Sequence, residues 1–266
     1  MSKGKNSSGT MQSLFASLAI VVALLIGVLV YVFVLGAASN FDAEGHPKPG
    51  NYMGMMHAGG FIVPLLIGIF LTVVIFSIER FITIGKAKGK GAIDVFVRNI
   101  KSNLASNNLD AAIAACDKQQ GSLANVVRAG VEKIKSIQGD SSMDKESKVA
   151  AVQKEIEEAT ALELPMLSKN LVIISTCATI ATLWGLIGTV LGMIRSFAAM
   201  SQAGAPDTAA LATGISEALI NTALGILGSV IGIIMYNYFT NKIDTFTYSM
   251  DEAGFSIVQT VSASKN

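Results

Sequence analysis

Four long runs of apolar positions, at 14–37, 61–84, 171–200 and 209–239, are separated by polar stretches. At 1.5 Å of rise per residue, each run can cross about 30 Å of hydrocarbon as a helix. The last two exceed the minimum length, so those helices tilt or continue past the bilayer. The stretch 85–165 has the pattern of a soluble helical segment instead. Ile93, Phe96, Val97, Ile100 and Leu104 recur at helical spacing, as do Leu109, Ile113 and Cys116, then Leu123, Val126, Val127, Val131 and Ile134. Asn107-Asn108-Leu109-Asp110 reads as a helix start and Gln120-Gly121-Ser122 as a break between helices. Gln138-Gly139-Asp140-Ser141-Ser142 reads as a loop, and from about Lys145 a charged helix runs toward the third span. No stretch alternates with a period of two. The expected fold is therefore an all-α integral membrane protein whose middle segment is a small antiparallel helical bundle.

The basic residues orient the spans. Lys3 and Lys5 precede the first, Lys86, Lys88 and Lys90 follow the second, and Lys242 follows the fourth. The 201–208 connection has no Lys or Arg, and the preceding connection at 38–60 has only Lys48. Both termini and the middle segment are thus expected in the cytoplasm. The predicted organisation is a cytoplasmic tip and first span at 1–38, a short periplasmic loop at 39–60, a second span at 61–84, and a cytoplasmic helical segment at 85–165. A third span at 166–200, a periplasmic loop at 201–208, a fourth span at 209–241 and a cytoplasmic tail at 242–266 complete it. The first run also has features of a secretory signal, with Lys3 and Lys5 before it and Gly36-Ala37-Ala38 as a cleavage site. Its roughly 24 apolar residues exceed the usual 7–15 of a signal core, which favours a retained helix. Under either reading the three-helix core keeps its orientation.

Composition agrees with a membrane protein carrying a modest aqueous portion: 51% of residues are hydrophobic, 15% are charged, and the mean hydropathy is +0.53. A net charge of +1, with no basic stripe, argues against nucleic-acid binding. Cys116 and Cys177 lie far apart in sequence and read as reduced packing residues. Glu155, Glu157, Glu158 and Glu163 read as a solvated helix face, with Lys154 and Lys169 nearby. His46 and His57 stand 11 residues apart among Pro and Gly and do not suggest a metal site. The Gly-Lys repeats at 85–91 read as a positive anchor rather than a phosphate loop. No catalytic residue, metal site or cofactor is expected, since no nucleophile–base pair or metal-ligating constellation appears in the spans.

The candidate chemistry lies in the last two spans. Glu217 is the one charged residue in 209–239. A carboxylate there costs roughly 2.5–3.5 kcal/mol on insertion scales unless it is paired, protonated or facing water, so it marks a functional site. Asn221 follows at i+4 on the same face, whereas Thr222 is rotated by about 140° to a neighbouring edge. A helix starting near Asp207 sets Glu217 about 15 Å down its axis, at mid-membrane depth. Thr189 adds a hydroxyl from the third span, able both to donate and to accept. These groups suit a proton or cation path, with Asn221 as a further pore-lining candidate. Gly185, Gly188 and Gly192, and likewise Gly225, Gly228 and Gly232, are spaced at i, i+3 and i+7 and mark close helix packing in lipid.

The stretch from Leu183 through Gly185-Leu186-Ile187-Gly188-Thr189-Val190-Leu191-Gly192-Met193-Ile194-Arg195 to Phe197 resembles the penultimate-helix motif of the ExbB/TolQ/MotA proton-channel family. Ile215-Ser216-Glu217-Ala218-Leu219-Ile220-Asn221-Thr222-Ala223-Leu224-Gly225, followed by Tyr236-Asn237-Tyr238-Phe239, resembles the last-helix motif of its ExbB and TolQ branch, and the middle segment is similar to that branch's cytoplasmic helices. The likeness runs from about Phe61 to Thr240. It implies a three-helix ExbB-like core with long helices extending into the cytoplasm, here with an extra N-terminal transmembrane helix. It further implies a homopentamer around two copies of a single-span ExbD-like partner whose helix carries an Asp. The complex would drive a TonB-like protein in the inner membrane of a Gram-negative cell. Glu217, Thr189 and Thr222 match the family's polar pore positions. Family members commonly carry Pro where this chain has Thr182 and Ile231, so the helices are expected to be straighter there. A TolQ-like subunit, a flagellar or gliding stator and a non-conducting scaffold are the other readings to be distinguished.

Overall fold

The computed structural model describes residues 5–139, 142–202 and 208–263, and all its named elements are helical. Helix α1 (Lys5–Leu29) continues into a π-helical turn, Val30–Leu35. After a short 3₁₀ turn come α2 (Tyr52–Ala58) and α3 (Ile62–Ala87). Four shorter or more polar helices follow: α4 (Ile93–Ala105), α5 (Leu109–Gln119), α6 (Gly121–Ile137) and α7 (Lys145–Ser168). Helices α8 (Leu171–Gln202) and α9 (Thr208–Ala263) complete the chain. Among the described residues four helical segments are long and apolar enough to cross a membrane, which makes this a multi-pass all-α membrane protein.

Several boundaries differ from those read off the sequence. The 165/166 boundary falls inside α7, which carries Pro165 in its last turn. The break comes instead at Lys169 and Asn170, where Asn170 adopts a φ of 64°. The 241/242 boundary falls inside α9, which is unbroken to Ala263. Hydropathy locates where a helix leaves lipid, but a helix can continue in water without interruption. Both α8 and α9 run continuously through Thr182 and Ile231. Lys3, Asp140, Ser141 and Asp207, and most of the 201–208 connection, lie outside the described residues.

The chain forms two compact units. One comprises residues 1–78 and 170–237, the other 79–169 and 238–266. In the first, α3 is the most enclosed span: half of its apolar window is buried, against 17% for the first span. Helix α1 approaches α3 closely because glycines meet there. A Cβ at Gly27 would lie 2.5 Å from the Pro64 carbonyl, and one at Gly68 would lie 2.7 Å from Leu24. The segment between α1 and α3 is ordered by its own polar groups. Asn40 donates through Nδ2 to the carbonyls of Val34 and Leu35, which the ending helix leaves unpaired. Asn51 bonds Asn40 Oδ1 and caps α2 by accepting from Met53 and Gly54. Tyr31 stacks on His57 and donates to its carbonyl at 3.1 Å.

In the second unit the predicted apolar faces form the core. Phe96, Val97, Ile100 and Leu104 are buried from α4, Leu109 and Cys116 from α5, and Leu123, Val126, Val127 and Val131 from α6. Val152 and Ile156 of α7 and Met250 and Ile257 of α9 complete it. The turn between α5 and α6 holds Gln120 at φ 57° and Gly121 at φ 84°, and Gly121 packs so close to the Ala87 and Gly89 backbone that a Cβ has no room. Arg80 is 2% exposed and clamps the end of α7, its Nη1 donating to the carbonyls of Met166 and Leu167 while Glu79 receives the rest of the guanidinium. Around the acidic run of α7, Glu155 pairs with Lys133, Glu158 with Lys154, and Glu163 accepts from Asn125, so these groups lie at the surface in ion pairs and hydrogen bonds.

Candidate functional site

The glycine spacings of α8 and α9 meet each other. A Cβ on Gly185 would lie 3.1 Å from Gly225 Cα, one on Gly192 would lie 2.8 Å from Ala218, and one on Gly232 would lie 2.7 Å from Ala178. As α8 positions advance, their α9 partners recede, so the helices are antiparallel and backbone-close along this face. Gly188 faces the Asn221 side chain, whereas Gly228 is in near-ordinary contact, its Cβ position 3.4 Å from Ala181.

This close approach pairs the two candidate threonines. The Thr189 and Thr222 hydroxyls share a short hydrogen bond, and each also lies 3.2 Å from the Gly185 carbonyl; with one hydrogen apiece, one hydroxyl donates to the other, which in turn donates to the carbonyl. One carbonyl thus lies beside a hydroxyl from each helix. Glu217 takes different company. Its carboxylate lies 3.7 Å from Arg195 Nη1, with the Glu217 side chain 20% exposed. Glu217, Arg195 and Asn221 line one small pocket, walled by Gly188 and Leu191 of α8 and by Phe61 on the approach to α3. Asn221 is buried and donates through Nδ2 to the Gly59 carbonyl at 2.9 Å.

The predicted face relation is thus realised: Glu217 and Asn221 share a pocket, while Thr222 turns to Thr189. Two contributors were not singled out from the sequence. Arg195 is the lone charge in 171–200, and the cost of an isolated carboxylate is itself the signal that a cation should be sought on the neighbouring helix. Gly59 contributes through its backbone, which carries no recognisable sequence signal. Among the described residues no group of His, Cys, Asp and Glu is placed to hold a metal ion.

An antiparallel pair of membrane-length helices that brings together a carboxylate, a guanidinium and two hydroxyls defines a polytopic membrane protein with a cluster of polar groups between two of its long apolar helices. Residues 118–252, half of the chain, match the MotA/TolQ/ExbB proton channel family, and the chain belongs to that family. It is 37% identical over 86 residues to the biopolymer transport protein ExbB-like 3 of Synechocystis, a stretch covering 32% of this chain and 41% of that protein. It is 27% identical over 179 residues to the Tol-Pal system protein TolQ of Pseudomonas aeruginosa, covering 65% of this chain and 78% of TolQ. To the biopolymer transport protein ExbB of Salmonella typhimurium it is 29% identical over 85 residues, covering 32% of this chain and 35% of that protein. The chain thus spans less than half of the length of the two ExbB-named relatives.

Proposed function

We propose that this chain is the ion-conducting subunit of a motor that turns the proton motive force into mechanical work, with Glu217, Thr189 and Thr222 on its ion path. The observation that carries this reading is the seating of Glu217 against Arg195 within the paired spans. A carboxylate compensated by a neighbouring cation can stay charged in a low-dielectric setting, yet gain and lose a proton as the local field changes. One charge crossing 100 mV supplies about 2.3 kcal/mol. The Thr189–Thr222 pair offers hydroxyls that both donate and accept, as a hydrogen-bonded relay requires.

Family membership supports a multimer working with single-span partners. The assembly we favour is a homopentamer around two copies of an ExbD-like partner, linked to a TonB-like protein and set in the inner membrane of a Gram-negative cell. The cytoplasmic side then holds both termini and the 85–165 segment. The test is proton flux in proteoliposomes and TonB-dependent nutrient uptake in cells, for wild type and Glu217→Gln, each co-expressed with the partner. Loss of both from an assembled complex is expected, and unchanged flux and uptake would sink the reading. A Tol-type load is the second reading, favoured by the extent of the TolQ match, 78% of that protein. Rescue of a strain lacking TolQ, but not of one lacking ExbB, would select it.

A further inference from the structure

The two ends of the Asn221 amide meet different surroundings. Nδ2 donates to the Gly59 carbonyl, and since a carbonyl can only accept, that bond fixes which way round the amide sits. Oδ1 is buried and has no hydrogen-bond partner among the described residues, in a side chain only 3% exposed. A buried acceptor left unpaired is costly and calls for a donor. Gly59 preserves space beside it: a Cβ there would come 2.9 Å from Oδ1 and 2.6 Å from Val63. Asn221 is also one of the residues lining the pocket of Glu217 and Arg195, which has room for about one water molecule.

We propose that this pocket is a binding site for a single water or hydronium, held between Asn221 Oδ1 and the Glu217 carboxylate with the Arg195 guanidinium at its rim. Seated there, a water donates one hydrogen to Asn221 Oδ1 and the other to the Glu217 carboxylate, while its own oxygen accepts from the guanidinium. When a proton arrives, the hydronium passes it to Glu217: one O–H bond of the hydronium breaks, one forms on the carboxyl, and neutral water remains. Asn221 is then the residue that holds the relay water in line with Glu217, rather than a passive part of the helix interface. The inference rests on Glu217 lying on the ion path.

The test is a high-resolution structure of the wild-type complex with its single-span partner, together with proton flux through Asn221→Leu. We expect an ordered water within hydrogen-bond distance of both Asn221 Oδ1 and the Glu217 carboxyl, and at least a tenfold loss of flux in the assembled variant. A protein donor on Oδ1, a dry pocket, or flux within twofold of wild type would each overturn the proposal. If the variant fails to assemble, the wild-type density decides. Unchanged flux in Glu217→Gln would overturn the ion-path reading while leaving the water itself to be judged from the density.

Discussion

At Gly225 the separation of α8 and α9 is set by backbone alone. A Cβ there would stand 2.6 Å from the Ala181 carbonyl oxygen and 2.9 Å from Gly185 Cα, with no flexible side-chain end to give way. One turn on, Gly228 leaves its Cβ at ordinary contact distance. Gly225→Ala should therefore destabilise the protein by about 1–3 kcal/mol, as overpacking does, and Gly228→Ala by less than about 0.5 kcal/mol. Thermal unfolding of the two variants in the same detergent checks this. Equal losses would mean that glycine composition, not the specific contact, governs the interface. Because the Thr189–Thr222 bond spans this same approach, Gly225→Ala should also lower proton flux, whereas Gly228→Ala should leave it near wild type.

Among the elements, the α5–α6 pair shows how burial controls chemistry in the second unit. Cys116 is 3% exposed, and burial, with a lesser push from the neighbouring Asp117 carboxylate, raises its thiol from 9.0 to about 12. A thiol whose folded value lies above its unfolded value favours the neutral form in the fold. Its contribution to stability is full below about pH 9 and is lost as pH rises from 9 toward 12. Alkylation of Cys116 at pH 8 should accordingly be slow in the folded protein and fast once the protein is denatured, measured by mass shift in a Cys177→Ala background. Rapid modification under native conditions would show that α5 and α6 separate readily. Arg80 plays a comparable fixing role by supplying donors to the end of α7 where the helix has none of its own.

For the whole molecule, the outward faces of the paired spans are informative. Leu186, Ile187, Val190 and Ile194 of α8 and Ile226, Leu227, Val230 and Ile233 of α9 are all exposed large apolar residues in the single chain. Lipid or neighbouring copies must cover them. On the pentameric reading, native mass spectrometry of the complex in mild detergent should give five copies of this chain with two of the partner. A mass of one or two copies that still conducts protons would overturn that stoichiometry.

The sequence by itself determined the main helices, because four apolar runs and three helical-period faces each mark a helix and its buried face from local pattern; the short α2 within 39–60 and the helix ends lay beyond it. It also marked Glu217, since a charge in an apolar run stands out without any partner in view. The pairing of α8 with α9 was legible as matched glycine spacing. What only the tertiary structure decided is who meets whom. Arg195 becomes the countercharge of Glu217 because antiparallel packing sets residues 22 apart in sequence side by side. Asn221 turns to the Gly59 backbone 162 residues away, a contact that no local pattern encodes. A helix end such as Ser168 likewise depended on tertiary context, because hydropathy reports contact with lipid, whereas a helix stops where packing and capping stop it.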